Sequence, residues 1–383
     1  MIRATNVKRG RISAEGLIRI KRQAIPESRN AFLKAGDIIV VRSGAYTGDV
    51  AMVTKDWAGS VAGYDLVLSL GEQIDPAFCS FNILGDAVQT YFRSQSARSA
   101  QPHLNRHQLE STEIPLPPLP EQRKIARVLG MVQRAIEQQE RLLALTAELK
   151  NALLHKLFTE GLRGEPQKQT EIGPVPESWE VVKMGSIGKV VTGSTPKTKV
   201  PEYYSPPEVD FIAPADLGRT RLVYDSEKKI SIAGLQTIRR LPKDAVMCVC
   251  IGSSIGKVGM TAKEVSATNQ QINSIVCGER HESAFVYYLL SYLCDYWRGF
   301  ATFGPVPILS KGSFEAIKIA VPPTKEEESE ISGSLCALDA KAEVHMRKHA
   351  TLTALFRTLL HQLMTAQIRV HDLKLPELEA TTA

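Results

Sequence analysis

Residues 117–129 read PPLPEQRKIARVL, and residues 322–335 read PPTKEEESEISGSL, a weaker copy about two hundred positions later. Proline fixes φ and disfavours the α region in the residue before it, so each pair of prolines closes off whatever precedes it. The stretch beyond each pair is helical by period. Positions 125, 129, 132, 136, 139, 143, 146, 150, 153 and 157 advance by alternating steps of four and three and hold Ile, Leu, Val, Ile, Gln, Leu, Thr, Lys, Leu and Leu. Adding 206 to each gives positions 331 to 363, holding Ile, Leu, Leu, Ala, His, His, Leu, Phe, Leu and Leu. Both rows are heptad seams whose ends are more apolar than their middles, which predicts two long helices that bury one stripe each. Acidic residues in the first turn, Glu121 in one copy and Glu326 to Glu328 in the other, suit the positive end of a helix dipole.

Each predicted helix is about 60 Å long at about 1.5 Å per residue. Two such helices in one chain most simply pair with each other. The expected arrangement is antiparallel, a rod with one globular segment at each end. Gln139, His345 and His349 interrupt the seam and are candidates for fixing its register, as a polar seam residue can.

The globular segments repeat as well. LKAGDIIVVRSGAYTGDVAM at 33–52 parallels LPKDAVMCVCIGSSIGKVGM at 241–260, with Gly44 and Gly48 opposite Gly252 and Gly256. LNRHQLESTEIPLP at 104–117 parallels LSKGSFEAIKIAVP at 309–322, and IRATNV at 2–7 parallels IAPADL at 212–217. Short apolar runs between glycine turns predict strands, with a helix near 80–98 and another near 283–298. The fold class expected is therefore α+β. Two similar domains with short strands are separated by two long antiparallel coiled-coil helices in a pseudo-twofold repeat. The boundaries read as 1–116, 117–165, 166–320, 321–370 and a tail at 371–383. The stretch 173–211 has no counterpart ahead of Ile2, so the first domain is expected to be N-terminally incomplete, through truncation or an internal start.

Composition narrows the class. The chain has 383 residues, 43% of them hydrophobic, enough for more than one packed core. No apolar run approaches a membrane span, and the basic N-terminus lacks the apolar core of a secretory signal. Six cysteines without CxxC pairs fit a reducing cytoplasm, and Cys248 and Cys250 should share one buried strand face. The net charge is +6: segments 1–115 and 166–320 each carry +3, the first helical segment +2 and the second −2. Mildly basic domains permit phosphate contact.

Catalytic signatures are not legible. GSSIGKVG at 252–259 has one residue too few between its glycines for a phosphate loop, and a tight turn between strands fits better. His103 and His107 have the spacing of helical metal ligands, but no third ligand is nearby. No catalytic residue, metal ligand or cofactor is assigned. DNA contact is the chemistry that the polar residues near turns can supply. The candidates are Lys8, Arg9, Arg11, Arg42, Tyr46 and Arg106 in the first domain. In the second they are Lys197, Lys199, Tyr203, Arg219, Arg221, Lys257 and Lys311. Asn269, Gln270 and Gln271 could pair with adenine, but satisfied turn amides are the preferred reading.

PLPPLPEQRKIA (115–126), LLHKLFT (153–159), IGPVPESWEVVKMGSIG (172–188), RATNVKRGRI (3–12) and GDIIVVRSGAYTG (36–48) together resemble the specificity subunit, HsdS, of type I restriction–modification systems. The resemblance covers essentially the whole chain. It implies two target-recognition domains, each reading half of a split double-stranded DNA site, with the helices as spacer. It also implies methyltransferase subunits and restriction subunits, which bring S-adenosylmethionine and ATP chemistry that this chain does not. Because the helices repeat more clearly than the domain loops, two methyltransferase subunits per chain are expected, related by a pseudo-twofold. The competing expectations are a structural coiled-coil scaffold with two protein-binding domains and, third, a nuclease or methyltransferase acting alone.

Overall fold

The computed structural model describes residues 1–25, 32–96, 102–302 and 304–373. In chain order the elements are β1 (Val7–Lys8), β2 (Arg11–Ile12), β3 (Ile38–Val40), β4 (Val50–Met52), β5 (Leu66–Leu68), α1 (Pro76–Leu84), α2 (Asp86–Ser96), α3 (Arg106–Glu110) and the long α4 (Leu119–Glu160). Next are β6 (Gln167–Thr170), β7 (Gly173–Pro176), β8 (Glu180–Lys183), β9 (Gly188–Thr192), β10 (Val209–Ile212), β11 (Leu222–Val223), β12 (Lys229–Ile230) and α5 (Ile232–Gln236). Then come β13 (Val246–Val249), β14 (Val258–Thr261), β15 (Ala267–Thr268), β16 (Ile272–Cys277), α6 (Ser283–Tyr292), α7 (Cys294–Arg298), α8 (Lys311–Ala316), β17 (Lys318–Val321) and the second long helix α9 (Lys325–Met364). Two compact units result: Met1–Leu142 with His345–Ala383, and Leu143–Val344. Each contains half of α4 and half of α9.

Every predicted seam position is buried or half-buried on both helices, including the polar ones. The pairing is antiparallel within each unit. In the first, Ile125 and Leu129 of α4 cluster with Leu360 and Leu363 of α9, and Gln139 Oε1 lies 2.8 Å from His345 Nδ1. In the second, Leu154 and Leu157 cluster with Ile331 and Leu335, and Lys150 Nζ reaches Asp339 Oδ1 at 2.6 Å. His349 Nε2 stands 3.3 Å from Glu140 Oε1, so the polar middle of the seam is specifically paired.

The repeat is reproduced bond by bond. In the first unit the sheet order is β4-β3-β5; in the second it is β11-β14-β13-β16-β9. β3, β4 and β5 answer to β13, β14 and β16. Val41 N–H donates to Asp49 O and Gly48 N–H to Val41 O; Val249 N–H donates to Lys257 O and Gly256 N–H to Val249 O. Gly44 and Gly252 have φ of 92° and 94°, Gly48 and Gly256 of 88° and 107°, a region open mainly to glycine. Asn6 Oδ1 accepts from Arg3 N–H as Asp216 Oδ2 accepts from Ala213 N–H, fixing the same local turn. Alternation along β13 sends Val246 and Cys248 into one core and Met247 and Val249 into another; Cys250 continues the first face, as its spacing from Cys248 requires.

Each unit joins its domain to the helices through the same positions with different chemistry. Gln122, fully buried, accepts from Asp75 N–H and donates to Gln73 O and Pro117 O. Its repeat mate Glu328 accepts from Glu282 N–H at 2.6 Å and meets His281 Nδ1 at 2.8 Å. A second joint is apolar in the first unit, where Phe81 of α1 meets Phe356 of α9 edge-on at 6.0 Å. In the second unit the mates are Tyr288 and Lys150, both held by Asp339: the Tyr288 hydroxyl donates to Asp339 Oδ2 at 2.6 Å, and Lys150 Nζ lies 5.2 Å from the Tyr288 ring centre.

Some expectations change. α4 starts at Leu119, two residues before Glu121, because Pro120 falls in the first turn, where no N–H is needed. The predicted helices near 80–98 and 283–298 each arrive as two, breaking at Gly85 and at Leu293. The residues ahead of the prolines form strand β17 in the second unit, but residues 112–118 form no strand in the first. The cause is the partner: β17 pairs with β8, which lies in the stretch without a counterpart. His103 is not helical; it bridges to Ser43, and α3 begins only at Arg106. Of the expected tail 371–383, residues 374–383 lie outside the described residues.

Candidate nucleic-acid interface

The hairpin turns between β3 and β4 and between β13 and β14 hold the same place in the two units and carry the candidates Tyr46 and Lys257. In the first unit Tyr46 projects from the turn, 48% exposed. Arg42 lies at its base. Its Nε donates to His103 Nε2 at 3.0 Å, and its guanidinium sits 5.0 Å from the ring centre of Tyr64, which is 75% exposed. Arg9 is exposed in a turn with φ of 42°, beside Asp49. Burial raises the pKa of Asp49, and the Arg9 charge and backbone oppose that shift. Arg106 opens α3 and pairs with Glu110 at 2.7 Å.

Two first-unit candidates are engaged elsewhere. Lys8 pairs with Glu15 at 2.8 Å. Arg11 reaches Glu140 of α4 at 2.5 Å, and Glu140 in turn faces His349 of α9, so Arg11 ties β2 to the helix pair. The hydrogen bond from Arg11 holds the Glu140 carboxyl below its usual range.

In the second unit a connected series of contacts runs across the turn. The Thr195 hydroxyl donates to Gln270 Oε1 at 2.6 Å, Asn269 Nδ2 to Gln271 Oε1 at 2.9 Å, and Gln271 Nε2 to Ile251 O in the turn at 3.4 Å. Lys257, at the other end of the turn, donates to Pro214 O at 3.2 Å and packs against Gly218, next to exposed Arg219. Lys197 and Lys199 are exposed in the loop that starts at Thr195. Tyr203 is half-buried, and its carbonyl accepts from Ser231 N–H, which seats α5. Arg221 is partly buried with its Nη1 directed at the Met260 sulfur. Lys311 opens α8 and pairs with Glu315 at 3.5 Å, repeating Arg106 with Glu110.

Arg42 and Tyr46 thus lie in one turn and Lys257 in its mate, and Arg9 is beside Asp49 of the first turn. Arg106 and Lys311 open helices that follow Leu104 and Leu309, whose N–H groups donate to Arg42 O and Cys250 O. Lys197, Lys199 and Arg219 are exposed on loops. Tyr64 and Arg239 were not anticipated. Tyr64 is signalled only by an aromatic beside a glycine in a loop; Arg239 holds the candidate loop by donating to Thr192 O at 2.6 Å. Held amides and cations of this kind can contact phosphate oxygens and base edges. Among the described residues no group of three or more His, Cys, Asp or Glu could hold a metal, and no helix is long and apolar enough to cross a membrane.

A family model described as "Type I restriction modification DNA specificity domain" matches residues 4–147 and 176–354. The type I restriction enzyme MjaVIII specificity subunit of Methanocaldococcus jannaschii is 22% identical over 375 residues, covering 90% of this chain and 82% of that protein. The MjaIX specificity subunit of the same organism is 29% identical over 203 residues, covering 51% and 46%. The crystal structure of a type I restriction–modification system S subunit from M. genitalium shares the fold. Its TM-score is 0.62 at 16% identity, over 93% of this chain and 92% of that one.

Proposed function

Because the chain belongs to the family of type I restriction modification DNA specificity domains, we propose that it is the DNA-recognition subunit of a type I restriction–modification complex, reading a bipartite double-stranded target. One observation carries this beyond family membership. The two domains share a hydrogen-bonded turn skeleton yet present different side chains from it: Tyr46 and Asp49 in one, Ser254 and Lys257 in the other, while partly exposed Arg42 answers to the buried Cys250. A common platform with two side-chain sets suits a target whose halves differ in sequence. Lys197, Lys199, Arg219, Arg9 and Arg106 serve as phosphate anchors, and Arg42 with Tyr46 as base-edge readers. Arg11, occupied by Glu140, positions its domain on the helices.

The subunit is non-catalytic. Two methyltransferase subunits per chain and the restriction subunits bring the methyl-transfer and cleavage chemistry, and no cofactor is its own. Arg123, Lys124 and Arg127, exposed in the first turns of α4, belong to the surface that meets a methyltransferase subunit. The complex works in the cytoplasm, where its DNA is.

Binding of a duplex library by the purified chain with its partner subunits tests the reading. Affinity should fall steeply as salt rises, and replacing residues 166–320 by another family member's domain should change one half of the methylated site only. Salt-independent binding would favour a protein-binding scaffold, and a change in both halves would defeat the modular reading.

A further inference from the structure

One side chain beside the second unit's hairpin turn is held in place but not satisfied. Asn269, Gln270 and Gln271 connect β15 to β16, and the amides of two of them are spent inside the connection. Asn269 Oδ1 accepts from Gln271 N–H at 3.1 Å, Asn269 Nδ2 donates to Gln271 Oε1 at 2.9 Å, and Gln271 Nε2 donates to Ile251 O. Both residues are half-buried, as turn amides should be. Gln270 is different. It is exposed, its Oε1 accepts from the Thr195 hydroxyl at 2.6 Å, and its Nε2 has no partner among the described residues.

The tether is firm because the loop that carries Thr195 is itself pinned. Gly193 N–H donates to Ile272 O and Ser194 N–H to Thr268 O, each at 2.9 Å, so the chain crosses directly over the amide connection. Only glycine permits that crossing: a Cβ at position 193 would collide with the backbone oxygens of Asn269 and Thr268. Arg239 clamps the same loop, its N–H donating to Ser194 Oγ at 3.2 Å and its Nη1 to Thr192 O at 2.6 Å. The connection is also fastened to the hairpin turn, where Cys250 N–H donates to Gln271 O at 2.8 Å.

A primary amide held in this way offers a defined pair of groups. Its oxygen accepts two hydrogen bonds and its nitrogen donates two, so after Thr195 is served one acceptor site and both donors remain. A donor and an acceptor side by side match the major-groove edge of adenine, where N7 accepts and the N6 amino group donates. Guanine presents two acceptors there and cytosine a donor alone, so neither takes both bonds. Because the side chain is already ordered, less rotamer entropy is lost when it binds. Cations suited to the DNA backbone stand on the same segments: Lys197 and Lys199 are exposed in the Thr195 loop, and Arg240 is exposed next to Arg239.

We propose that Gln270 is a base-reading residue of the second domain, bonding N6 and N7 of one adenine in its half-site, and that Thr195 is the residue that positions it. This rests on the DNA-recognition reading above and adds to it a base and the side chain that reads it.

Gln270→Glu is the informative variant. It keeps an oxygen for the Thr195 hydroxyl, so the loop stays fastened, but it loses the donor to N7 and gains an acceptor suited to the cytosine N4 amino group. The full chain with its partner subunits, wild type and variant, selects duplexes from a random library. The added negative charge lowers affinity for every duplex, so the readout is the preference at each position. The two selected sites should agree everywhere except at one position in one half, where adenine gives way to cytosine or to no preference. At that position 7-deazaadenine, which lacks N7, should weaken binding by the wild type about tenfold and leave the variant unaffected. Thr195→Val, which frees the amide to turn, should relax the same position and no other. An unchanged site in Gln270→Glu, or an equal effect of 7-deazaadenine on both proteins, means that Gln270 only fastens the loop; either result overturns the proposal and leaves DNA recognition standing. If the wild type enriches no sequence at all, the recognition reading itself falls, and this assignment falls with it.

Discussion

Asp339→Ala removes the group that holds a domain helix to both long helices in the second unit. Asp339 accepts the Tyr288 hydroxyl at 2.6 Å and Lys150 at 2.6 Å. Tyr288 is fully buried, so its hydroxyl is left without a partner, at a cost of about 1–3 kcal/mol. Lys150 and Asp339 retain side-chain exposures of 25% and 22%, so losing the ion pair costs less than the roughly 3–5 kcal/mol of a fully buried one. The expected total is about 3 kcal/mol, against about 1 kcal/mol for Tyr288→Phe, which leaves the pair with Lys150 intact. With a urea slope of about 2 kcal/mol/M, the midpoint for Asp339→Ala should fall by about 1–2 M. Tryptophan fluorescence reports on this unit, because Trp179 and Trp297 are buried in its core. The first unit supplies the decisive control. The residues at the matching positions are Phe81, Phe356 and Gln133, of which Phe81 and Phe356 pack edge-on, so the triple variant Tyr288→Phe/Lys150→Phe/Asp339→Gln transplants that aromatic pair and removes the buried charges. Replacing a buried ionic cluster by well-packed apolar groups is often neutral or stabilising. The triple variant should therefore unfold within about 1 kcal/mol of wild type, or later. A triple variant less stable than Asp339→Ala would refute the equivalence of the joints, and a cost below about 1 kcal/mol for Asp339→Ala would refute the role given to the carboxylate.

Burial raises the pKa of Glu328 above its ordinary 4.5, so its stabilising contribution is complete below that value and is lost as pH rises through the raised one. Glu328→Gln, which copies Gln122, should gain on wild type from pH 4 to pH 8 in urea titrations; a constant difference would contradict this. Glu140 has the opposite sign. Its pKa is lowered, first by the hydrogen bond from Arg11, so that contribution is present at neutral pH and disappears in acid. Arg11→Ala should cost about 0.5–1 kcal/mol at pH 7 in hydrogen exchange of the first unit and nothing near pH 3, and should weaken DNA binding less than Lys197→Ala/Lys199→Ala does. At Gly256 an alanine would meet Arg298 and Cys294 at a φ of 107°, and at Gly48 it would meet Phe92 at 88°. Each substitution should lower Tm by several degrees, consistent with about 1–3 kcal/mol of strain. Loss at only one of the two glycines would mean that the turns are not equivalent.

The features legible in the sequence are those set by period and by backbone conformation. The seam could be read through Gln139, Thr146, Lys150 and His345 because a heptad keeps its phase whichever side chain fills a position. The turns could be read because Gly44, Gly48, Gly252 and Gly256 fall at fixed spacing and only glycine adopts that φ freely. Strand pairing was not legible at 112–118, because whether those residues form a strand depends on a partner far away in the chain. The same limit applies at the candidate interface. Arg11, Lys8 and Arg42 look alike as cations near turns, and only tertiary placement shows that one serves a helix, one a neighbouring glutamate and one a tyrosine face. Nor could His103 be separated from His107 by spacing, since α3 begins between them.

The pair of Gln139 with His345 has a consequence for the origin of such a chain. The two residues are 206 apart and hold the same place in the repeat, so here a repeat position touches its own copy. If two identical half-length polypeptides assembled in this way, the position would meet itself, glutamine against glutamine or histidine against histidine. Any substitution would then change both sides at once. Joining the halves in one gene makes the two sides separately inheritable. The contact can then become a donor and an acceptor of different kinds, and the two copies cease to be exchangeable.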